Sequence, residues 1–320
     1  MIRPLAFLTP LYAAAVGAKN AAYDRGRKHP RRLKWPVVSV GNLSVGGSGK
    51  TPLVIKLAEL LSAENVAVDV LSRGYGRGDV DSVERVNADG DAARFGDEPL
   101  LIARTAKVPV YVGADRYEAG LLAERDSRRA AVHLLDDGFQ HRRLARSLDI
   151  VVVHESDLEE KLLPAGRLRE PLDSLKRASA IVLREEDRQL EAELRKRGIS
   201  EPVWIQHRRL VVEPVTRAVA FCGIARPDEF FAALRAQNVE LSATQILRDH
   251  QAYSDSEIGR LISLARRHDA QCFVTTGKDA VRLSVKQREQ LEKVAPLRNA
   301  RLEVSLEDEG AVVRRLRSLL

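Results

Sequence analysis

Two kinds of apolar spacing alternate along this chain. Short runs rich in Val, Leu, Ile and Ala have the length and composition of strands: Pro36–Val40, Ala67–Leu71, Val108–Val112, Ala131–Leu135, Asp149–Val153 and Ala180–Leu183. Between them, Thr51–Leu61, Glu98–Arg104, Asp115–Glu124 and Arg188–Arg197 carry helical patterns. Continuous apolar strands alternating with helices predict a mostly parallel sheet covered by helices on both faces.

A second α/β pattern follows the charged stretch Arg184–Arg197. Ala218–Cys222 and Cys272–Thr275 read as strands, and Glu257–Arg267 and Lys278–Val294 as helices. Pro227–Ala236 reads as a helix with Pro in its first turn. Trp204–Val212 and Ala300–Val304 look extended on either side of this unit, so they are expected to pair as a two-stranded connector. That pairing would return the last helix, Gly310–Leu320, toward the first unit. The expected division is a larger domain over residues 1–208 and a smaller α/β domain over 209–320.

Composition narrows the class. With 44% hydrophobic and 30% charged residues, the chain is globular, not disordered. Its formal net charge of +7 predicts attraction to something anionic, and the excess is local. Between Met1 and Lys34, Asp24 is the only acid among Arg3, Lys19, Arg25, Arg27, Lys28, Arg31, Arg32 and Lys34, so this stretch holds the whole surplus. It also contains the apolar segment Leu5–Ala18, too short for a bilayer span of roughly 20 residues. A signal peptide cleaved near Ala13–Ala14–Ala15 and packing on the protein's own core are two readings of it. The third is a membrane-lying helix: Leu5, Phe7, Leu8, Leu11, Tyr12 and Val16 supply an apolar face, followed by cations suited to an anionic surface. Cys222 and Cys272 sit in strand-like runs, which predicts reduced, buried thiols and a cytosolic setting.

The strongest local signal is Val38-Ser39-Val40-Gly41-Asn42-Leu43-Ser44-Val45-Gly46-Gly47-Ser48-Gly49-Lys50-Thr51. A strand, a glycine-rich turn and a helix start are what a phosphate loop requires, because its amides and the helix N-terminus must face the phosphates. Gly46, Gly47, Ser48 and Gly49 would cradle ATP, Lys50 would contact its β- and γ-phosphates, and the Thr51 hydroxyl would ligate Mg²⁺. Ser44 departs from the strict pattern, which has glycine there. The fold expected is therefore P-loop NTPase-like. Downstream, Leu134-Leu135-Asp136-Asp137-Gly138 places two acids at the C-terminal end of a strand, the edge where open α/β sheets bind ligands. An acid there helps hold Mg²⁺ in P-loop enzymes; a plain Asp-Gly turn is the alternative.

Several separated segments together resemble the tetraacyldisaccharide 4′-kinase family. They are Ser39-Val40-Gly41-Asn42 with Gly46–Pro52, Leu71–Arg77, Gly96-Asp97-Glu98-Pro99, Leu135–His141, Leu163-Pro164-Ala165-Gly166, Asp249-His250 and Thr275–Val281. The resemblance implies a two-domain kinase at the cytoplasmic face of an inner membrane. It would move the ATP γ-phosphoryl group onto the 4′-hydroxyl of an acylated disaccharide 1-phosphate lipid to give lipid IVA. It also implies that Asp97, paired with His250, activates that hydroxyl, and that Asp136 and Glu98 lie in the Mg²⁺ shell. Gly277 stands where the family usually has Glu, and Arg167 where Pro is usual.

The remaining candidates keep two readings each. Arg73 and Arg77 form either a solvated basic turn or a site for the substrate's or the nucleotide's phosphate. Asp137, Gln140 and His141 either touch the substrate or pack. The rival functions are a soluble P-loop kinase or GTPase acting on another small molecule, and a nucleotide-switched nucleic-acid-binding module. No nucleic-acid fingerprint is present and aromatic content is 5%, which offers little for base stacking, so no nucleic-acid partner is expected. Nothing in the sequence implies an obligate protein partner.

Overall fold

A computed structural model of the chain describes residues 3–320 apart from positions 48, 80, 128 and 250. Helix α1 (Thr9–Asp24) precedes the first strand. Then come β1 (Val37–Asn42), α2 (Lys50–Ala63), β2 (Val68–Ser72), β3 (Glu84–Arg85), α3 (Ala92–Phe95), α4 (Asp97–Ala106) and β4 (Val110–Val112). The first half continues through α5 (Arg116–Asp126), β5 (Val132–Asp136), β6 (Leu148–Val152), β7 (Ala180–Arg184) and α6 (Leu190–Lys196). The remainder is β8 (Val203–Val211), β9 (Ala218–Cys222), α7 (Pro227–Ala236), β10 (Leu241–Ile246), α8 (Asp255–Arg267), β11 (Cys272–Thr276), α9 (Gly277–Ala280), α10 (Val285–Glu292), β12 (Leu297–Leu306) and α11 (Glu309–Arg317).

Among the described residues the strands form one sheet of twelve, ordered β10-β9-β11-β12-β8-β7-β6-β1-β5-β2-β4-β3. Neighbours run parallel except at β3/β4 and β8/β12. The extended segments around the second unit do pair, from Arg301↔Val211 to Leu306↔Gln206. They are not an isolated ribbon, because β8 also pairs with β7 and β12 with β11, which makes the sheet continuous.

Strand alternation builds the layers. Ile150, Val152 and Val182 face one way, into a core shared with Leu53, Leu57 and Leu61 of α2 and Leu100 of α4. Val151, Ile181 and Leu183 face the other way, against Phe139, Leu175 and Leu190. Helix α11 sends Val312 and Leu316 into the α2 core, so the chain's last helix packs on its first half. In the second half, Phe273 and Leu261 fill one face and Phe230 and Val274 the other.

Two expected helices are shorter than their patterns. The Lys278–Val294 stretch is broken, because Ser284 caps a new helix by exchanging hydrogen bonds with Gln287 and so stops α9 from running on. The first turn expected from Arg188 is not α-helical either, and α6 starts at Leu190. Both cysteines are free and buried. No helix among the described residues is long and apolar enough to cross a membrane.

Leu316→Ala should destabilise the protein by about 2–5 kcal/mol, the usual range for truncating a fully buried Leu. Urea unfolding checks this. A shift under about 0.5 kcal/mol would mean that α11 is not part of the α2 core in solution.

Candidate active site

The phosphate loop leaves β1 at the C-terminal edge of the sheet, and its first half is held like a strand. Ser44 bridges Leu168 in antiparallel register. The Val45 amide donates to the Arg167 carbonyl at 2.8 Å, and the Arg169 amide to the Leu43 carbonyl at 2.7 Å. Ser44 is absent from the positive-φ residues, so glycine is not needed there. Positive φ falls on Gly46 (107°) and Gly49 (78°), the second of which opens α2. Gly41 is required by close approach, since a Cβ on it would lie 2.8 Å from the Phe139 amide nitrogen. Arg167, which replaces the Pro usual in the resembling family, donates Nη2 to the Val45 carbonyl at 2.8 Å and closes over the loop. Ser48 lies outside the described residues.

Lys50 folds back from α2 toward the end of β5. Its Nζ lies 2.8 Å from Asn42 Oδ1 and 3.3 Å from Asp137 Oδ1. Arg169 grips the same carboxylate from the other side, Nη1 to Oδ2 at 2.9 Å and Nη2 to Oδ1 at 2.8 Å, and also donates to Asn42. Asp137 has φ +51°, a left-handed conformation that Asp tolerates better than most residues and that turns the chain immediately after β5.

The preceding acid sees the opposite surroundings. Asp136 is buried; Ser72 Oγ donates to its Oδ2 at 3.2 Å, and its Oδ1 has no hydrogen-bond partner. Burial first, then Glu98 and Asp137, push Asp136 well above the usual carboxylate range. Burial raises Asp137 too, but the Arg169 hydrogen bonds and the Lys50 charge outweigh it and hold Asp137 well below that range. Thr51, at the start of α2, is buried at the same edge. An ionisable oxygen with no partner, pressed by two further acids and near a hydroxyl, fits a hard cation. No group of three His, Cys, Asp or Glu side chains is placed to hold a metal among the described residues. A carboxylate beside a hydroxyl suits Mg²⁺, which keeps several waters and takes phosphate oxygens.

The second half closes over Asp97 and Glu98 at the start of α4. Arg282, just past α9, donates Nε to Asp97 Oδ2 at 2.7 Å. Its other nitrogens reach Asp249 Oδ1 at 3.2 Å, Asp279 Oδ1 at 3.1 Å and the Gly223 carbonyl at 2.9 Å. Asp279 is fully buried and also accepts from Tyr253 at 2.6 Å, so the hub that aims Arg282 is rigid. Lys278 Nζ lies 3.3 Å from Asp249 and 3.9 Å from Glu98. Gly277 allows this closeness: a Cβ on it would stand 3.1 Å from Leu101 Cδ1 on α4, so a larger residue would force Leu101 to yield. His250 lies outside the described residues.

The other candidates separate. Arg77 is buried and donates to the Ser82 carbonyl, which rules out a solvated turn and leaves its guanidinium bracing its own loop. Arg73 is exposed. Gln140 Nε2 donates to the Asn42 carbonyl at 2.9 Å, placing it under the phosphate loop. His141 Nε2 is buried without a partner; burial, reinforced by Arg116, pushes this imidazole down to about 3, so it is neutral. Arg169, Arg282 and Arg116 were not among the sequence candidates. The first two stand just past the segments Leu163–Gly166 and Thr275–Val281, which was the available signal. Arg116 faces Asp136, Asp137 and Arg73, and burial followed by Arg73 lowers it to about 10.

The sequence model of the tetraacyldisaccharide-1-P 4′-kinase family matches residues 1–320. This chain belongs to that family. The tetraacyldisaccharide 4′-kinase of Koribacter versatilis is 43% identical, over 96% of this chain and 95% of its own length. That of Geobacter metallireducens is 39% identical, over 95% and 94%. The crystal structure of LpxK from Aquifex aeolicus in complex with ATP superposes with a TM-score of 0.78 at 31% identity, covering 99% of both chains.

The two neighbouring acids of this kinase should respond to pH in opposite senses in metal-free buffer. Asp136, raised when folded, is still protonated there when the unfolded chain has ionised, so stability falls as pH rises from about 4 toward its folded value. Asp137, depressed when folded, contributes stability that is present above about pH 4 and lost below it. Asp137→Asn should therefore destabilise at pH 7 and much less at pH 3. Asp136→Asn should stabilise at pH 8, with a gain that shrinks toward pH 4. Urea midpoints across a pH series in EDTA decide; parallel profiles for the two variants would contradict the assignment.

Proposed function

We propose that Lys50, Thr51 and Asp136 hold the reacting phosphates and Mg²⁺ while Asp97 draws the proton from the acceptor hydroxyl. The reaction is ATP-dependent phosphorylation of the 4′-hydroxyl of a tetraacyldisaccharide 1-phosphate, giving lipid IVA. What carries the reading is the meeting of Lys50 with the Asp136–Asp137 pair at one sheet edge, in a chain matched by the kinase family over its whole length.

Held by the Thr51 hydroxyl and Asp136, Mg²⁺ would supply positive charge against the phosphates. The chain's own groups do the rest. Lys50 exchanges Asp137 for the phosphates, and Arg169 keeps Asp137 ionised and fixed meanwhile. Asp97 is aimed by Arg282, whose Nε donates to Oδ2 and fixes the carboxylate toward the acceptor hydroxyl. The same guanidinium holds Asp249, the residue before His250, which supports a shared proton between Asp97 and His250. Glu98, which acts electrostatically on Asp136, would help it hold the metal. Residues 1–208 carry the phosphate loop and the acids; 209–320 supply Arg282, Lys278 and His250. Arg73, Gln140 and His141 lie with the acceptor.

The acceptor is a lipid, and α1 lies where it would meet a membrane. Tyr12 donates to the Arg169 carbonyl and Lys19 to the Gln140 carbonyl, both at 3.0 Å, so one face of α1 rests on the rim of the site. Leu8 and Val16 are half-buried on that face, while Leu5, Phe7 and Leu11 remain 52%, 74% and 69% exposed. These three side chains enter the anionic cytoplasmic leaflet of the inner membrane, and the cations from Arg25 to Lys34 follow them.

Incubation with ATP, Mg²⁺ and the disaccharide 1-phosphate, read by mass spectrometry, tests the activity. Asp97→Asn should lower kcat about 10²- to 10⁴-fold, the range for a general base, with little change in KM for ATP. His250→Ala should act alike, and the double variant should be little worse than the worse single; fully multiplicative losses would dissolve the pair. Replacing Leu5, Phe7 and Leu11 together by Ser should weaken binding to anionic vesicles at least about tenfold, given about 1.5–3 kcal/mol per buried apolar side chain. Raised salt should weaken the remaining binding. Vesicle binding equal to that of the unaltered chain would remove α1 as the anchor.

A further inference from the structure

One group of buried polar side chains beside the phosphate loop has no part in the reaction described above. Arg184 on β7 pairs in register with Gln206 on β8, and Arg208 lies two residues further along. Side chains on one face of adjacent strands align, so these three share the face that carries α2, as their neighbours Val182 and Val304 do. Gln206 is fully buried and neither atom of its amide has a partner. The Nε atoms of Arg184 and Arg208 are likewise buried without a partner.

The guanidinium of Arg208 reaches the phosphate loop itself. A Cβ on Gly49 would lie 2.7 Å from Arg208 Cζ, so the cation rests on the glycine from which α2 starts. Arg184 is ion-paired to Glu186 at 3.4 Å, whereas Arg208 has no carboxylate partner among the described residues. Arg184 and, more weakly, Arg226 act on Arg208 as like charges, and Glu186 and Glu229 act on it as opposite ones without contacting it. Burial first and Arg184 next pull Arg208 down to about 10. A cation kept in such a place is destabilising unless an anion meets it. The neighbouring helix N-terminus favours the same sign of ligand.

We propose that Arg208, backed by Arg184, binds the polyphosphate chain of the nucleotide at Gly49, so that the strand leading into the second half takes part in gripping ATP. The proposal rests on the kinase reading and adds to it a residue outside the phosphate-loop motif. The positive φ of Gly49 calls for glycine, and the missing side chain leaves the room that the guanidinium occupies.

Calorimetric titration of ATP and of AMP, with Mg²⁺, into the full chain tests it without relying on turnover. Arg208→Gln should weaken ATP binding about 10- to 100-fold, as expected for one charge-assisted contact, and AMP binding less. Arg208→Lys should fall between, and Arg209→Gln, on the exposed opposite face, should bind like the unaltered chain. Folding is checked by thermal unfolding without nucleotide. Phenylglyoxal labelling of the unaltered chain, mapped by mass spectrometry, gives an arm that needs no variant: saturating ATP or tripolyphosphate should protect Arg208. Unchanged ATP affinity in folded Arg208→Gln, or labelling of Arg208 that ATP does not slow, overturns the proposal. Failure of the unaltered chain to bind ATP would instead strike the kinase reading itself.

Discussion

Asp136 and Asp137 are consecutive carboxylates at the buried end of one strand, and two ionised acids so close cannot be held there without compensating charge. The fold resolves this by treating them differently. Asp137 steps into a left-handed turn and is met by Lys50 and Arg169, which hold it ionised. Asp136 stays in the strand with one oxygen unpartnered and its acidity suppressed. Neighbouring groups with acidities pushed apart are the mark of a site whose members have distinct tasks. Here one acid positions the lysine, and in the function proposed above the other would help hold the metal.

Arg282 applies the same electrostatic logic between the two halves of the chain. Three carboxylates, Asp97 from α4 and Asp249 and Asp279 from the second half, surround a single buried guanidinium. Removing one acid would cost Arg282 a partner while easing repulsion between the other two, whereas removing the arginine would leave three acids facing each other. The second half thus reaches Asp97 through a side chain whose geometry is set by Asp279. That explains why the short segment Thr276–Arg282 is so densely bonded: Thr276 and Tyr253 both donate to Asp279 at 2.6 Å.

Much of this was legible in the sequence, and the illegible part has a common cause. Strands such as Ala218–Cys222 announce themselves because both faces are buried and every position is apolar. The phosphate loop and the Asp136–Asp137 pair were readable because their chemistry demands particular residue types at fixed spacing. Arg169 and Arg282 were not, since an arginine carries no local pattern and its role depends on which distant carboxylate it meets, 32 residues away for Asp137 and 185 for Asp97. Arg77 kept two readings for the same reason: the sequence of a glycine-rich basic turn does not show that the loop folds its side chain inward. The broken helix at Ser284 was missed because the apolar period continues across the cap.

The departures from the expected motif carry their own physical account. Glycine at position 44 would serve a loop that turns there, but this loop is still extended at Ser44 and is tied across to Leu168. The turn is postponed to Gly46, and Arg167 closes over it by donating to the Val45 carbonyl. Proline at 167 could not make that side-chain contact, and its ring would replace the guanidinium with an apolar surface. Ser44 and Arg167 are therefore coupled through a single stretch of paired backbone. The phosphate loop of this chain is built from two segments, Leu43–Lys50 and Arg167–Arg169, with Arg208 reaching it from a third.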